Sequence, residues 1–381
     1  MALAPPFTGS NPPRHSYSSP HDPSRTLPVP FWFQPLSAQR FRSLPLKESD
    51  VIVSSGVKMG TTWVTKILVS LLYEFDDDGE LRQGVENART TTPNRSGQTY
   101  PDALYANRED KEGDVHGIFA RVPGGRTKVD GIFGDFTFED LVSQTEPRLF
   151  STHLFGKRFL PQQLFSSEPN LCNDTAAASM QGKGRLIIVL RNLKDTMCSL
   201  HHFRGLPMDG WDGNEHGPGT YLRYIAEKCP NAFGSAFDWV NETQDALNYV
   251  NFGRAYVLYY ESFILDFDAQ LKQLNNFLGL HELTAAKCEA IRKACTTETM
   301  SKDNARYTAT VVKGMIGEWQ KYLDDERWAE FDRIFDERLN NVAIAKPMRF
   351  FQHYGFREKL DQGETMDELK RQWNSINLHH G

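Results

Sequence analysis

The sequence predicts an α/β protein, a single domain with a central parallel sheet flanked by helices. Three observations carry that expectation. Strand-like runs alternate with stretches of helical periodicity, the order that builds parallel sheets covered on both faces. The strand-like runs are short and apolar, as strands buried on both sides are. The first of them leads through a Gly-bearing turn into an amphipathic helix, which places a ligand site at the carboxyl ends of the strands.

The elements follow in chain order. Residues 1–30 hold eight prolines together with Ser and His, so they cannot maintain a helix and carry little apolar surface to offset ordering entropy. They are expected to form a flexible Pro/Ser-rich arm. The main domain is expected from Phe31 to residue 357. Asp50-Val-Ile-Val-Ser-Ser reads as a buried strand, and Val64, Ile67, Leu68, Leu71 and Leu72 recur at helical spacing after it. Asp76-Asp77-Asp78-Gly79 marks the exit from that helix. From there to about Asp130 the chain is polar with little periodicity, a looped insertion. Arg148–Leu154 has strand character, Ser166–Gly184 is a small-residue loop, and Gly184–Leu190 is the clearest buried strand, ending at Arg191. Arg254–Tyr260 is a further strand, and Leu271, Leu274, Phe277 and Leu278 stripe the helix that follows. Residues 358–381 read as a polar tail.

Composition sets limits on function. With 39% hydrophobic and 24% charged residues among 381, the chain can build a sizeable core. Its 43 basic and 49 acidic residues leave a net charge of -6, so there is no global basic field for a nucleic acid or an anionic membrane. An anion must be held by a local site. The five cysteines make no CxxC pair and no zinc-type spacing, which fits a reducing compartment. No apolar run reaches the length of a membrane span, and the opening residues lack a secretory pattern. A cytoplasmic protein without nucleic-acid or membrane partners is expected.

The segment Ser54-Ser-Gly-Val-Lys-Met-Gly-Thr-Thr-Trp63 sits between the first strand and its helix. A helix N-terminus presents unpaired N–H groups and the positive end of the macrodipole, and so attracts phosphate. Gly60 allows close backbone approach, Thr61 and Thr62 add hydroxyls, and Lys58 adds a charge. The plain alternative is an ordinary turn in which Gly serves geometry and Thr caps the helix. A Walker A loop would have Lys directly after the final Gly, whereas Lys58 precedes Gly60. A second group, Arg191-Asn-Leu-Lys-Asp-Thr-Met-Cys-Ser199, follows the strongest strand. There an Arg fork and a Ser hydroxyl can grip a phosphate together, or cap and pair at the surface.

These segments resemble the cytosolic sulfotransferase family. Its loop reads Tyr-Pro-Lys-Ser-Gly-Thr-Thr-Trp and binds the phosphosulfate end of 3′-phosphoadenosine 5′-phosphosulfate (PAPS). Lys58, Gly60, Thr61, Thr62 and Trp63 match it; Gly56, Val57 and Met59 depart. The resemblance implies a P-loop-like nucleotide site in which Lys58 and the loop from Met59 to Trp63 hold the phosphosulfate. Arg191 and Ser199 match the family's grip on the 3′-phosphate. Lys313 and Gly314 match part of a later segment that closes over that phosphate, with Val312 where the family has Arg. Trp63, and Phe233 where the family has Tyr, are the implied adenine contacts; both read equally as core aromatics. Thr152-His153-Leu154 matches Lys-Thr-His-Leu, which makes His153 the implied catalytic base, with Ser151 in place of the Lys.

The resemblance implies in-line transfer of a sulfuryl group from PAPS to a hydroxyl or amine of a small-molecule acceptor. His153 activates the acceptor, Lys58 stabilises the leaving group, and no metal is expected. Asp324-Asp325 occupies the place of the family's dimer contact, where desolvating two carboxylates opposes that packing. Two alternatives stand beside this reading. One is a P-loop-type nucleotide kinase; the other is a nucleotide-binding relic without turnover, suggested by Ser151 and Val312.

Overall fold

The computed structural model describes residues 15–19, 22–29, 41–82, 147–165, 183–203, 235–250, 253–303, 316–321, 325–353, 368 and 370–373. Within the stretch read as a flexible arm, β1 (His15–Ser19) and β2 (Asp22–Val29) pair as an antiparallel hairpin. The prolines exclude a helix there but not extended structure, because in a two-stranded ribbon both strands are edges and tolerate a missing N–H.

The main sheet has four parallel strands: β3 (Val51–Ser55), β4 (Leu149–Thr152), β5 (Arg185–Leu190) and β6 (Ala255–Tyr259). Their spatial order is β4-β3-β5-β6. All four were legible as strand-like runs, mainly apolar where helices cover both faces, with Ser54, Ser55, Ser151 and Thr152 buried at the carboxyl ends of β3 and β4. Successive residues of β3 serve opposite layers. Val51 and Val53 pack with Val64, Ile67, Leu68, Leu271, Leu274 and Ile291, whereas Ile52 packs with Met197, Phe237, Trp239 and Phe331.

The first of these layers is built by α1 (Thr61–Val69), which the Val64, Ile67 and Leu68 stripe predicts, and by helices after β6. Beyond Val69, residues Ser70–Glu74 widen into a π turn, where the Ser70 hydroxyl donates to Glu74. The acidic exit is a tight turn: the Asp76 carboxylate accepts from the amides of Asp78 and Glu80, and Gly79 takes φ 79°. The second layer holds α2 (Leu193–Phe203) and α3 (Ala236–Leu247), the latter capped by the Ser235 hydroxyl accepting from Asp238 N. After β6 come α4 (Tyr260–Leu265), α5 (Phe267–Phe277), α6 (Ala285–Ala294) and α7 (Thr297–Asp303). The last helices are α8 (Asp325–Leu339) and α9 (Lys346–His353). Asp325, half of the acidic pair read at the dimer position, lies exposed at the start of α8. An acidic first turn suits the positive helix end.

The amino ends of the strands are tied by a buried ion pair. Arg148 Nε donates to Asp50 at 2.8 Å and its Nη2 to Pro45 O at 2.8 Å, with the side chains of both Arg148 and Asp50 fully enclosed. The same end is knitted by main-chain bonds from Val51 N to Arg148 O and from Arg185 N to Asp50 O. At the opposite edge the topology reverses. The chain leaves β3 into α1 on one face, and leaves the neighbouring β5 into α2 on the other. That divergence opens a crevice between the carboxyl ends of β3 and β5, the place where α/β sheets bind ligands.

Candidate active site

Three loops meet at this edge, one from each of β3, β5 and β6. The first is the turn Gly56–Met59, closed by Met59 N donating to Gly56 O at 3.2 Å. Lys58 occupies its third position with φ 65°, the left-handed region that a type II turn demands there. A non-glycine residue in that region costs on the order of 1–2 kcal/mol, a strain of the kind that collects at functional sites. Met59 serves the fold, since its side chain is buried in the core and its amide is committed to the turn.

Gly60 follows with φ 106° and begins α1 without a side-chain cap. A Cβ here would stand 2.5 Å from Cδ2 of Tyr260, so conformation and space both require glycine. The first-turn amides of α1, from Thr61 to Trp63, have no carbonyl within the helix to bond, and they open at the crevice. The Thr61 hydroxyl donates to Ser55 Oγ at 2.9 Å, bracing the turn rather than projecting from it. Thr62 is half-buried in the same turn of helix. The Trp63 indole donates to Cys295 O at 2.8 Å, and its ring lies edge-on to Tyr260 at 4.9 Å while remaining partly exposed.

From β5 comes Arg191, whose Nη1 donates to Lys58 O at 3.3 Å. Its guanidinium lies 4.6 Å from the centre of the Tyr260 ring. Among the described residues its Nε is buried without a hydrogen-bond partner, an arrangement that is uncommon in native proteins and is met where water, an ion or a ligand completes it. Burial, aided by the charge of Arg191, lowers the Lys58 ammonium to a pKa of about 8. Two cations held together in a partly desolvated site favour an anion between them. The next residues are bound into the frame: Asn192 N donates to buried Glu261 at 2.8 Å, and Asp195 accepts from Gly317 N and Trp319 N at 2.8 and 3.1 Å. Ser199 lies two turns along α2, half-buried.

From the end of β4 comes His153. Its Nδ1 lies 2.8 Å from Ser55 O, the last carbonyl of β3 before the anion turn. A carbonyl oxygen only accepts, so Nδ1 carries the proton of this bond. β3 and α3 support this placement, because Ser54 Oγ donates to Leu154 O and the Trp239 indole to His153 O. Ser151 is fully buried and its hydroxyl is 2.9 Å from that of Thr65 on α1, so it fastens strand to helix.

The structure thus brings Lys58, Gly60, Thr61, Thr62, Trp63, Arg191 and His153 to one edge. Phe233, Lys313, Gly314 and Val312 lie outside the described residues, as does most of the looped insertion. Tyr260, Glu261, Ser55 and Asp195 were not anticipated from the sequence. For Tyr260 and Glu261 the available signal was their position at the carboxyl end of a strand. The remaining two act through a main-chain oxygen and main-chain amides, which side-chain patterns do not record. Among the described residues no group of three or more His, Cys, Asp or Glu side chains is arranged to hold a metal ion, and no helix is long and apolar enough to cross a membrane.

The buried Arg191 Nε, with no hydrogen-bond partner among the described residues, and the paired cations fit an anionic ligand. Comparison with known proteins shows the family and the fold. The sulfotransferase domain family matches residues 48–343. Cytosolic sulfotransferase 1 of Danio rerio is 23% identical over 321 residues, covering 80% of this chain and 88% of its own. Among solved structures, mouse sulfotransferase SULT7A1 complexed with PAP aligns with a TM-score of 0.55 at 18% identity, over 86% of this chain and 96% of that one. Retinol dehydratase in a complex with retinol and PAP aligns with a TM-score of 0.57 at 16% identity, over 87% and 91%.

Proposed function

Because the chain belongs to the sulfotransferase family, we propose that it transfers a sulfuryl group from PAPS to a hydroxyl or amine of a small-molecule acceptor. The catalytic domain is residues 31–357, and the setting is the cytoplasm. The observation that best supports the reading is the His153–Ser55 bond beside the turn bearing Lys58, which would make Nε2 the proton acceptor. PAP, found in the structural neighbours, is what PAPS becomes once its sulfuryl group is gone, and supports this choice of donor.

The bound donor would supply an activated sulfuryl group on a phosphate leaving group. The chain's own residues do the rest. The first-turn amides of α1 and the Lys58 ammonium hold the phosphosulfate end and offset negative charge as the bridging oxygen is released. Arg191, with Ser199, holds the 3′-phosphate. Lys313 and Gly314 complete that grip, and Trp63 and Phe233 flank the adenine. His153 Nε2 takes the proton of the acceptor as it attacks, a contribution of roughly 10²–10⁴ in rate for a positioned base. Ser151, where the family has Lys, leaves Lys58 as the principal cation at the leaving group.

The test is to supply purified protein with labelled PAPS and a panel of phenols, alcohols and amines, and in parallel with ATP and magnesium. Labelled sulfate on an acceptor, lost in His153→Ala, supports the proposal. Turnover of ATP would instead identify a kinase, and PAP binding without product across the panel would identify a relic.

A further inference from the structure

Residues 358–381 read as a polar tail, yet Trp373 within them is only 1% exposed. Its ring centre lies 4.7 Å from that of Phe351, 5.9 Å from Phe350 and 5.5 Å from Tyr259, the last residue of β6. Among the described residues its indole N–H has no hydrogen-bond partner, so aromatic packing holds the ring. Close by in the chain, Lys370 pairs with Asp266 at 2.5 Å. Two of the three rings that seat Trp373 belong to α9, which starts at Lys346, beyond residue 343 where the family match ends.

The last four carbonyls of a helix have no partner within it. In α9 two of these are met by the segment that follows β5: Asn192 Nδ2 donates to Phe351 O at 3.2 Å, and Lys194 Nζ to Gln352 O at 3.1 Å. Both donors are buried, and Lys194 also pairs with Asp332 of α8 at 2.8 Å. Asn192 directly follows Arg191, and its amide is bound by Glu261 of α4. The end of β5 is therefore braced from α4 on one side and from α9 on the other.

We propose that Trp373 is a positioning residue: it anchors the C-terminal segment on α9, keeps α9 against Asn192 and Lys194, and so fixes Arg191 where the 3′-phosphate is held. The inference rests on the donor reading above and extends it to residues that the family match does not cover. Trp373 acts through Phe351, whose ring it packs on and whose carbonyl holds Asn192. Without the anchor α9 shifts from the loop and Arg191 loses its register, while the anion turn ahead of α1 keeps its own.

The distinguishing experiment titrates PAP and adenosine 5′-phosphate into the full chain by calorimetry. Wild type, Trp373→Ala, Trp373→Phe, Asn192→Ala and the double Ala variant are compared, with near-ultraviolet circular dichroism as the check on folding. Trp373→Ala is expected to lose tenfold or more in PAP affinity, with adenosine 5′-phosphate weakened less than threefold. Trp373→Phe, which keeps an aromatic ring, should stay within threefold of wild type for PAP. Because the two residues act by one route, the double variant should bind PAP within threefold of the weaker single variant. Equal weakening of both nucleotides, PAP affinity unchanged in Trp373→Ala, a loss in Trp373→Phe as large as in Trp373→Ala, or single losses that multiply in the double variant would each overturn the proposal. Should Trp373→Ala not fold, Trp373→Leu, nearer in volume but lacking the ring, is judged by the same criteria. Wild type with no preference for PAP over adenosine 5′-phosphate defeats the donor reading and the proposal together; a preference that survives Trp373→Ala defeats the proposal alone.

Discussion

The imidazole Nδ1 of His153 is 2.8 Å from the main-chain oxygen of Ser55, so the strand that delivers the anion turn also orients the ring facing it. A main-chain oxygen cannot be removed by substitution, so this contact persists whatever side chain stands at residue 55. Replacing His153 by Ala should therefore remove the base while leaving the turn in place. Sulfuryl transfer is expected to fall by about 10²–10⁴, with the Kd for PAP within threefold of wild type, as read by labelled-sulfate transfer and calorimetry.

Lys58 and Arg191 raise a question of proton balance. Burial and the neighbouring guanidinium hold the free Lys58 ammonium at a pKa of about 8, and an anion between them moves it back up. Binding of PAP at pH 8 to 9 should thus take up a proton, and affinity should decline as pH rises through that range. Calorimetry in buffers of different ionisation enthalpy measures the uptake directly, and Lys58→Met should abolish it.

Glu261 accepts from Asn192 N inside the protein, and its pKa is raised to about 7, chiefly by burial, against the opposing charge of Arg191. Its folded value exceeds its unfolded one, so the folded state binds more protons between about pH 4.5 and 7. Its contribution to stability is complete below that window and lost as pH rises through it. Glu261→Gln keeps an oxygen for Asn192 and removes the titration. The difference in unfolding free energy between variant and wild type should move in favour of the variant from pH 5 to pH 8, as urea denaturation at each pH will show.

Asp195 fastens residues 317–319 to the end of β5 through two main-chain donors. Burial is the main force raising its pKa, and these amides oppose it. Truncation to Ala leaves both N–H groups without their acceptor, at about 1–3 kcal/mol for each buried unsatisfied group. Equilibrium denaturation should show a loss of roughly 2–4 kcal/mol for Asp195→Ala, and a smaller one for Asp195→Asn, which keeps one acceptor oxygen.

Much of this architecture was readable in the chain. Each of the runs at 50–55, 148–154, 184–190 and 254–260 corresponds to a strand of the sheet; helices on both faces favour their apolar residues, and the polar Ser54, Ser55, Ser151 and Thr152 are buried as well. Lys58, Gly60 and Arg191 stood out because charge and conformational freedom at strand ends serve anions. The hairpin of His15–Ser19 and Asp22–Val29 was not readable, since its strands lack an apolar alternation.

From sequence alone came the alternation of strands and helices, the turn with its lysine, and the arginine and histidine at strand ends, since periodicity and residue chemistry are local properties. Tertiary structure alone decided which of those ends are neighbours. Only the order β4-β3-β5-β6 sets His153 against Ser55, brings Arg191 to the Lys58 carbonyl and stacks Arg191 on Tyr260. Strand order depends on contacts between residues far apart in the chain, and no single segment carries a record of it.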